Sequence, residues 1–531
     1  PDKTPIKVAI ELEWNEEMKS LYDNDTTIQE AVKYSEQLEW NMRQLWVHAC
    51  GIIIAPEKVD TYSPMQYVKE DTTDIVSQYD WPTMEKIWLL KMDFLGLRNL
   101  SIIKNCIKII KKRYEKEWKV MPKMFEKFFQ NMSFQPDITD QDTYNTVFKE
   151  WDTSWIFQFE SNWMRKYLIQ LAPEKIDNLV AMNALYRPWP MEFIPSYIAR
   201  KTWAEPVKYM HDDLRAILTK QYSAEVADEE EKKLIEDLSP IMWDTYWIAI
   251  YQEQLMFLVQ NMAWFSLWEA DLLRRWIWKK KKEIIEKLKI EFTERWQEFR
   301  WYKPETTKFI YEKMIEPAAS YSFNKSHAVC YAWVAYQTAY LKTHFPVEFY
   351  AALIRSVEED TDEQSKYIYE TQCHGIQVLP PNINESFNHV AAIEWNIRLW
   401  FLWIKWIGFD VWEFIQQERK KWWKYSSLED FLKRCDKVIN KKSMEWLIKS
   451  WALDEFYDSN TMLANIETIL EWSKSSQNMS MWLFGMDSAT TQISFAKKCT
   501  TTFEENLMYE QEVFKSFVSW HLLDWLYPYI I

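Results

Sequence analysis

Asp93 is the lone carboxylate in an otherwise apolar stretch, Leu89-Leu90-Lys91-Met92-Asp93-Phe94-Leu95-Gly96-Leu97. Apolar residues recur there with period 2, which predicts a strand that displays one carboxylate. Lys91 is two residues away, so it shares that strand face and can pair with Asp93. His48, in Val47-His48-Ala49-Cys50-Gly51, is a further titratable candidate. The six cysteines, at 50, 106, 330, 373, 435 and 499, are scattered and form no C-x-x-C pair. That argues against structural zinc and a disulfide framework, and fits a reducing cytoplasm.

The elements that must hold these residues follow from pattern. Residues 1–45 read as polar, charged helix. Residues 47–56 have the texture of a buried strand, β-branched and closed by Pro56. From about 100 to 355 helical periodicity dominates, and Ile102, Ile103, Cys106, Ile107, Ile109 and Ile110 mark an amphipathic helix. Residues 225–237 read as an exposed acidic helix, and residues 279–289 are Lys-rich. Strand-like pieces followed by short helices fill 375–455. The stretch 455–500, rich in Ser, Thr, Asn and Met, reads as a linker. No apolar run reaches the roughly 18 residues of a membrane span, so no membrane partner is expected. The fold class is α+β, predominantly helical.

Composition carries an anomaly. The 531 residues include 5 Gly and 33 Trp. At about 7% Gly, roughly 37 would be usual. Trp46, Trp81, Trp155, Trp247, Trp264, Trp268 and Trp278 lie at turns or helix edges. Trp189 sits in a Pro-bounded turn, and Trp422-Trp423 stands where a turn calls for Gly-Gly. Such places ask for positive φ or close backbone approach, which glycine supplies. The pattern predicts that most of these tryptophans are UGA codons read as glycine by the source organism. The net charge of −15 argues mildly against a simple nucleic-acid coat protein, without excluding local basic tracks.

With Trp read as Gly, seven motifs fall in one order. Lys91 to Arg98 match K-x-D-F-L-G-L-R, Trp155 to Ser161 resemble G-V-F-Q-x-E-S with Ile156 for Val, and Ala184 to Met191 match A-L-Y-R-P-G-P-M. Then come Tyr251-Gln252-Glu253-Gln254, Ala270 to Arg275, Phe323-Asn324-Lys325-Ser326-His327-Ala328, and Tyr336 to Lys342. In this the chain resembles the alpha subunit of bacterial DNA polymerase III, the C-family replicative polymerase, over nearly all its length. The resemblance implies template-directed DNA synthesis, nucleotidyl transfer from dNTP to a primer 3′-OH, with two Mg²⁺ ions clamping the attacking and leaving oxygens. It also implies a nucleotidyltransferase-like palm with large helical fingers.

By that resemblance Asp93 is the third of three metal-holding Asp residues, with Lys91 and His48 beside it. The first two belong to a D-x-D strand expected before residue 1. The chain therefore reads as an internal fragment, inactive on its own. Arg187, Arg274, Arg275, Lys279, Lys325, Ser326 and His327 match the finger motifs that meet the triphosphate. Arg offers a bidentate fork to phosphate there, and Lys a point charge.

The C-terminal third resembles a tandem helix-hairpin-helix. Leu399 to Gly408 match its first turn, which implies Lys405, Ile407 and Gly408 at DNA phosphates. Asn440-Lys441-Lys442 match the second. The implied domains are thumb end 1–45, palm 46–100, fingers 101–355, hairpin module 356–460, and a linker 461–531 toward an oligonucleotide-binding domain. Implied partners are primer-template DNA, dNTPs, a sliding clamp and other replisome subunits, in the cytoplasm. Two rivals are a non-catalytic DNA-binding relative of the polymerase, or replisome scaffold, and a plain helical interaction protein.

Overall fold

The computed structural model describes residues 5–11, 16–39, 47–48, 50–69, 73–150, 152–278, 282–358, 360–404, 406–480, 492–515 and 517–518. It divides into two units at Leu97/Arg98.

In the first unit, three polar helices pack on one another: α1 (Ile6–Glu11), α2 (Glu16–Asn24) and α3 (Thr26–Leu38). Asp25 caps α3 by accepting from the Thr27 N–H at 2.8 Å. Short strands follow: β1 (Gly51–Ile54), β2 (Met65–Tyr67) and β3 (Ile75–Ser77). Helix α4 (Trp81–Lys86) then leads into β4 (Leu90–Asp93). β1 and β4 pair antiparallel, with Gly51 opposite Asp93 and Ile53 opposite Lys91. The expected buried strand is half-exposed instead: Ile52, Ile54, Leu90 and Met92 all lie open on one face. A two-stranded ribbon by itself has too little surface to bury both faces.

The second unit is helical, as the periodicity predicts. Helix α5 (Arg98–Lys116) buries all six residues of its predicted stripe. It is followed by α6 (Lys123–Asn131), the single turn α7 (Gln141–Thr143), α8 (Asn162–Leu171), α9 (Ile176–Leu185) and α10 (Ile194–Lys201). A bundle comes next: α11 (Asp212–Gln221), α12 (Ala224–Met242), α13 (Gln252–Ala263), α14 (Leu267–Trp278), α15 (Lys282–Arg300), α16 (Pro304–Ile310) and α17 (Glu316–Tyr321). Its core closes on Phe292, Trp296 and Tyr311. The acidic helix is α12, and it is not merely solvated. Ala227, Glu230, Leu234, Leu238 and Met242 recur at helical spacing and are buried. Buried Glu230 is satisfied by the Lys303 N–H at 3.1 Å and the Thr306 hydroxyl at 2.7 Å.

Helix α18 (Lys325–His344) organises a second core with α8, α9 and α10. Ala328, Ala332, Ala335 and Ala339 line its buried face and let α9 come close. A third core joins α5, α6 and α19 (Pro346–Arg355) to everything that follows: α20 (Thr361–Cys373), three strands and six helices. The strands are β5 (Val378–Leu379), β6 (Ala391–Ile393) and β7 (Asn396–Arg398), in the order β5-β7-β6. The helices are α21 (Phe409–Trp422), α22 (Leu428–Cys435), α23 (Lys441–Lys449), α24 (Ser459–Ala464), α25 (Ile466–Ser480) and α26 (Phe503–Phe514).

The stretch expected to be a linker is thus largely helical between 459 and 480. Its polar residues act as caps and ties. Ser459 donates to Ile448 O at 3.0 Å, and Asp458 caps α24. The Asn465 amide donates to Thr461 O and Lys497 O.

The tryptophans divide sharply by backbone. Trp155, Trp247, Trp264, Trp406 and Trp423 have φ between 53° and 69°, in the left-handed region. So do Trp88, Trp118, Trp203, Trp301 and Trp451. Trp189 is right-handed, at φ −80°, and Trp81, Trp268, Trp278 and Trp422 are helical. Trp46 and Lys279 lie outside the described residues, as does Lys405.

Candidate active site and nucleic-acid interface

The β1–β4 pair sets up the first cluster. Lys91 and Asp93 share a face, and the Lys91 ammonium lies 2.9 Å from Asp93 Oδ1 and 3.2 Å from Oδ2. His48 Nδ1 lies 3.7 Å from the same Oδ1 and accepts from the Cys50 N–H at 3.4 Å. Asp93 remains two-fifths exposed. The residue that lets these three converge is Gly51, opposite Asp93 in the register. A Cβ there would stand 2.7 Å from Lys91 Cε, 2.9 Å from His48 Nδ1 and 3.1 Å from Asp93 Oδ1. Sequence reading missed Gly51 as a site residue. The available signal was a glycine inside the predicted strand 47–56, a mark of close approach by a neighbouring group. Asp93 is a hard oxygen donor of the kind Mg²⁺ prefers. No group of three or more His, Cys, Asp or Glu placed to hold a metal occurs among the described residues. The chemistry of Asp93 fits a single oxygen donor to such an ion.

The second cluster forms where α18 begins. Three motifs far apart in sequence meet there. Tyr251 and Phe323 form a parallel bridge, with the Gln252 N–H donating to Phe323 O and the Phe323 N–H to Ile250 O, both at 2.9 Å. Glu253 accepts from the Asn324 amide at 3.0 Å and from the Lys325 N–H at 2.8 Å. Asn324 caps the helix by accepting from the His327 N–H at 2.8 Å. Arg187 donates to Ala184 O at 2.9 Å and Tyr321 O at 2.6 Å. Its guanidinium lies 4.5 Å from the Phe323 ring centroid. Burial pulls the Arg187 pKa below its ordinary value. The Phe323 ring packs on that of His327 at 5.4 Å, and His327 on Tyr331 at 4.2 Å. The Lys325 ammonium sits 5.3 Å from the Tyr251 ring centroid.

Arg187, Lys325, Ser326 and His327 are thus brought together, and Ser326 and His327 are exposed. Arg187 spends two of its donors on carbonyls, so it braces the turn as well as offering charge. Arg274 and Arg275 lie on α14, which packs against α17, the helix leading into Phe323. Glu253 was quoted in a motif but given no role. Its work as a clamp across 72 residues becomes visible only in three dimensions.

The hairpin module supplies the third cluster. Gly408 is the N-cap of α21, and Asn440 caps α23 in a reciprocal box with Ser443. The Lys442 ammonium lies 3.4 Å above the Trp406 ring, so the two hairpin turns touch. Lys441 pairs with Glu467. The Ile407 side chain is buried and its N–H bonds Ile404 O at 3.2 Å, so it anchors the turn from inside. A tie centred on Asp152 and buried Lys342 holds the end of α18 to the end of α20. The Lys342 ammonium bonds Asp152 Oδ1 at 2.5 Å and Ser154 O at 3.1 Å, and His374 Nε2 bonds Asp152 Oδ1 at 3.0 Å. The bond to Asp152 raises the His374 pKa, and burial lowers that of Lys342.

Comparison with known proteins converges on one family. A family model described as bacterial DNA polymerase III alpha NTPase domain matches residues 1–96, and the alpha subunit finger domain matches residues 99–300. Their junction coincides with the division between the two units. A helix-hairpin-helix motif matches residues 375–463. DNA polymerase III subunit alpha of Thermus aquaticus is 33% identical over 521 residues, 97% of this chain and 39% of the relative. That of Bacillus subtilis is 34% identical over 500 residues, 93% of this chain and 41% of the relative. The Halalkalibacterium halodurans protein is 33% identical over 528 residues, 98% and 43%. The chain spans about two-fifths of the length of these curated relatives. On matches that cover almost every residue, the chain belongs to the family of the bacterial DNA polymerase III alpha subunit.

Proposed function

We propose that this chain serves template-directed DNA synthesis in chromosomal replication, as the part of the polymerase that binds dNTP, contributes one catalytic carboxylate and grips the duplex backbone. The observation that carries this reading is the meeting of Arg187, Phe323, Lys325 and His327 at the first turn of α18, held by Glu253. A helix start flanked by cations is a ready site for a triphosphate. Lys325 and Arg187 supply charge that offsets the phosphates, and Ser326 offers an exposed hydroxyl. Arg274, Arg275 and Lys279 extend the cationic set. In the palm, Lys91 holds the Asp93 carboxylate at a fixed angle on its strand, and Gly51 keeps room for both. Mg²⁺ bound at Asp93 would supply Lewis-acid stabilisation of the transferring phosphoryl group. Lys405, Gly408, Lys441 and Lys442 contact phosphates without reading bases. Interactions with a sliding clamp and other replisome subunits are part of the same proposal.

The test is Asp93→Asn in a full-length polymerase that carries this segment. Primer extension falls by about 10²–10³-fold, the loss usual when one electrostatic stabiliser of a transition state is removed. Binding to primed DNA stays unchanged. Unchanged extension would exclude Asp93 from catalysis.

A further inference from the structure

Among the described residues ten tryptophans occupy left-handed backbone, and four of them close helices by one hydrogen-bond pattern. At the end of α5 the Trp118 N–H bonds Glu115 O and the Lys119 N–H bonds Tyr114 O. Trp88 after α4, Trp203 after α10 and Trp451 after α23 repeat it, each between a 5→2 and a 6→1 bond. Glycine is the usual residue at that position, because a Cβ is strained in this conformation. The chain contains its own control. At the end of α20 the Gly375 N–H bonds Gln372 O and the Ile376 N–H bonds Thr371 O, with Gly375 at φ +74°. Among the described residues this motif is thus closed by a written glycine once, by Tyr246 once, at φ +50°, and by a written tryptophan four times.

Trp264 and Trp301 end α13 and α15 with φ 53° and 57°. Trp423, after α21, is more telling, at φ 69° and ψ −164°. That region is populated almost only by glycine. Exposure agrees at four of the ten. Trp88, Trp118, Trp301 and Trp423 are 94%, 95%, 81% and 85% exposed. Tryptophan is the largest aromatic and normally hides most of its surface. Trp247 is buried instead, and its place in the set rests on its backbone, at φ +63°.

Two other tryptophans combine helical backbone with full burial. Trp296 and Trp412 are fully buried inside α15 and α21. Trp296 packs on Phe292 and Tyr302 with ring centroids 5.2 Å and 4.9 Å away. Trp412 stacks on Phe401 at 4.4 Å, and its indole N–H donates to Asn388 Oδ1. Helical backbone, burial and aromatic partners coincide at both.

We propose that the natural protein carries glycine at 88, 118, 155, 203, 247, 264, 301, 406, 423 and 451, encoded by UGA, and true tryptophan, encoded by UGG, at 296 and 412. Positive φ thus assigns glycine at these ten positions, and helical backbone with full burial among aromatic rings assigns tryptophan at 296 and 412. The assignment also reaches the hairpins, and there it rests on the functional reading above. With glycine at 406, the turn before Gly408 is bare backbone, and the Lys442 ammonium no longer lies capped on an indole.

The experiment is tandem mass spectrometry of the protein purified from its source, with the codons read from the gene. Cleavage after Lys and Arg yields peptides 202–208 and 296–300. The first is expected to carry glycine at 203, the second tryptophan at 296. The gene is expected to show UGA at the ten positions and UGG at 296 and 412. Tryptophan at 203 or UGG at any of the ten overturns the assignment there, and glycine at 296 or 412 overturns the sorting rule. Neither readout depends on polymerase activity, so failure here and failure of the functional proposal are distinguishable.

Discussion

Helices α10 and α20 end alike and are written differently. After α20, Gly375 sits between bonds of 2.9 Å and 3.3 Å; after α10, Trp203 sits between bonds of 3.3 Å and 2.8 Å. The helix end leaves carbonyl groups unsatisfied, and the left-handed turn satisfies them whatever the side chain. The backbone demand is common to both ends, so the side chain alone differs in cost. Met132 and Ala172, also left-handed, show that ordinary residues tolerate such a turn. The tolerance is not free. Each strained non-Gly position costs about 1–3 kcal/mol. Ten of them sum to about 10–30 kcal/mol, which equals or exceeds the roughly 5–15 kcal/mol by which a domain is stable. One strained turn is an accident a fold can absorb, whereas ten would consume it.

The contrast can be broken most forcefully at the tryptophans that obey the usual rules. Trp296→Gly and Trp412→Gly each remove a fully buried indole from a helix interior. Each should lose about 3–5 kcal/mol by cavity formation, with a further ~1 kcal/mol from glycine in a helix. Trp203→Gly should move the other way, gaining about 1–3 kcal/mol. Denaturant unfolding reads both, and equal signs at 203 and 296 would erase the distinction. Next in size is an effect on binding. Trp406→Gly releases Lys442 and opens the hairpin turn. Affinity for primed duplex should rise, and the slope of log affinity against log salt should steepen by about one unit. Adding Lys442→Ala should cancel the gain, and a gain that survives it would assign the effect elsewhere.

The smallest effect lies beside Gly375 itself. His374 bonds Asp152, which raises its pKa above the ordinary 6.5. Its contribution to stability is fully present below pH 6.5 and is lost as pH rises through the raised folded value. His374→Gln should flatten that decline in a melting series across this window. A slope unchanged by the substitution would assign the pH dependence to another group.

Much of the site was legible in the sequence because its chemistry is local. Lys91 and Asp93 share a strand face by simple alternation, and α5 buries the stripe its isoleucines predict. What escaped was set by tertiary context. The strand at 51–54 reads as buried because it is apolar, yet its neighbours cover one side only. The residues 459–465 read as linker because Ser, Thr and Asn favour loops, yet here they cap and tie helices. Glu253 joins α13 to α18 across a gap that no window of sequence spans. Trp189 lies in a Pro-bounded turn, but the 3₁₀ turn starting at Pro190 holds it right-handed.

Among the described residues the backbone favours glycine at ten positive-φ positions where the sequence writes tryptophan. Two recombinant chains test it most directly, one as written and one with glycine at those ten positions alone. Thermal unfolding of both, side by side, is the measurement. The glycine chain should melt higher by on the order of 10 °C or more. An equal or lower melting temperature would contradict the account.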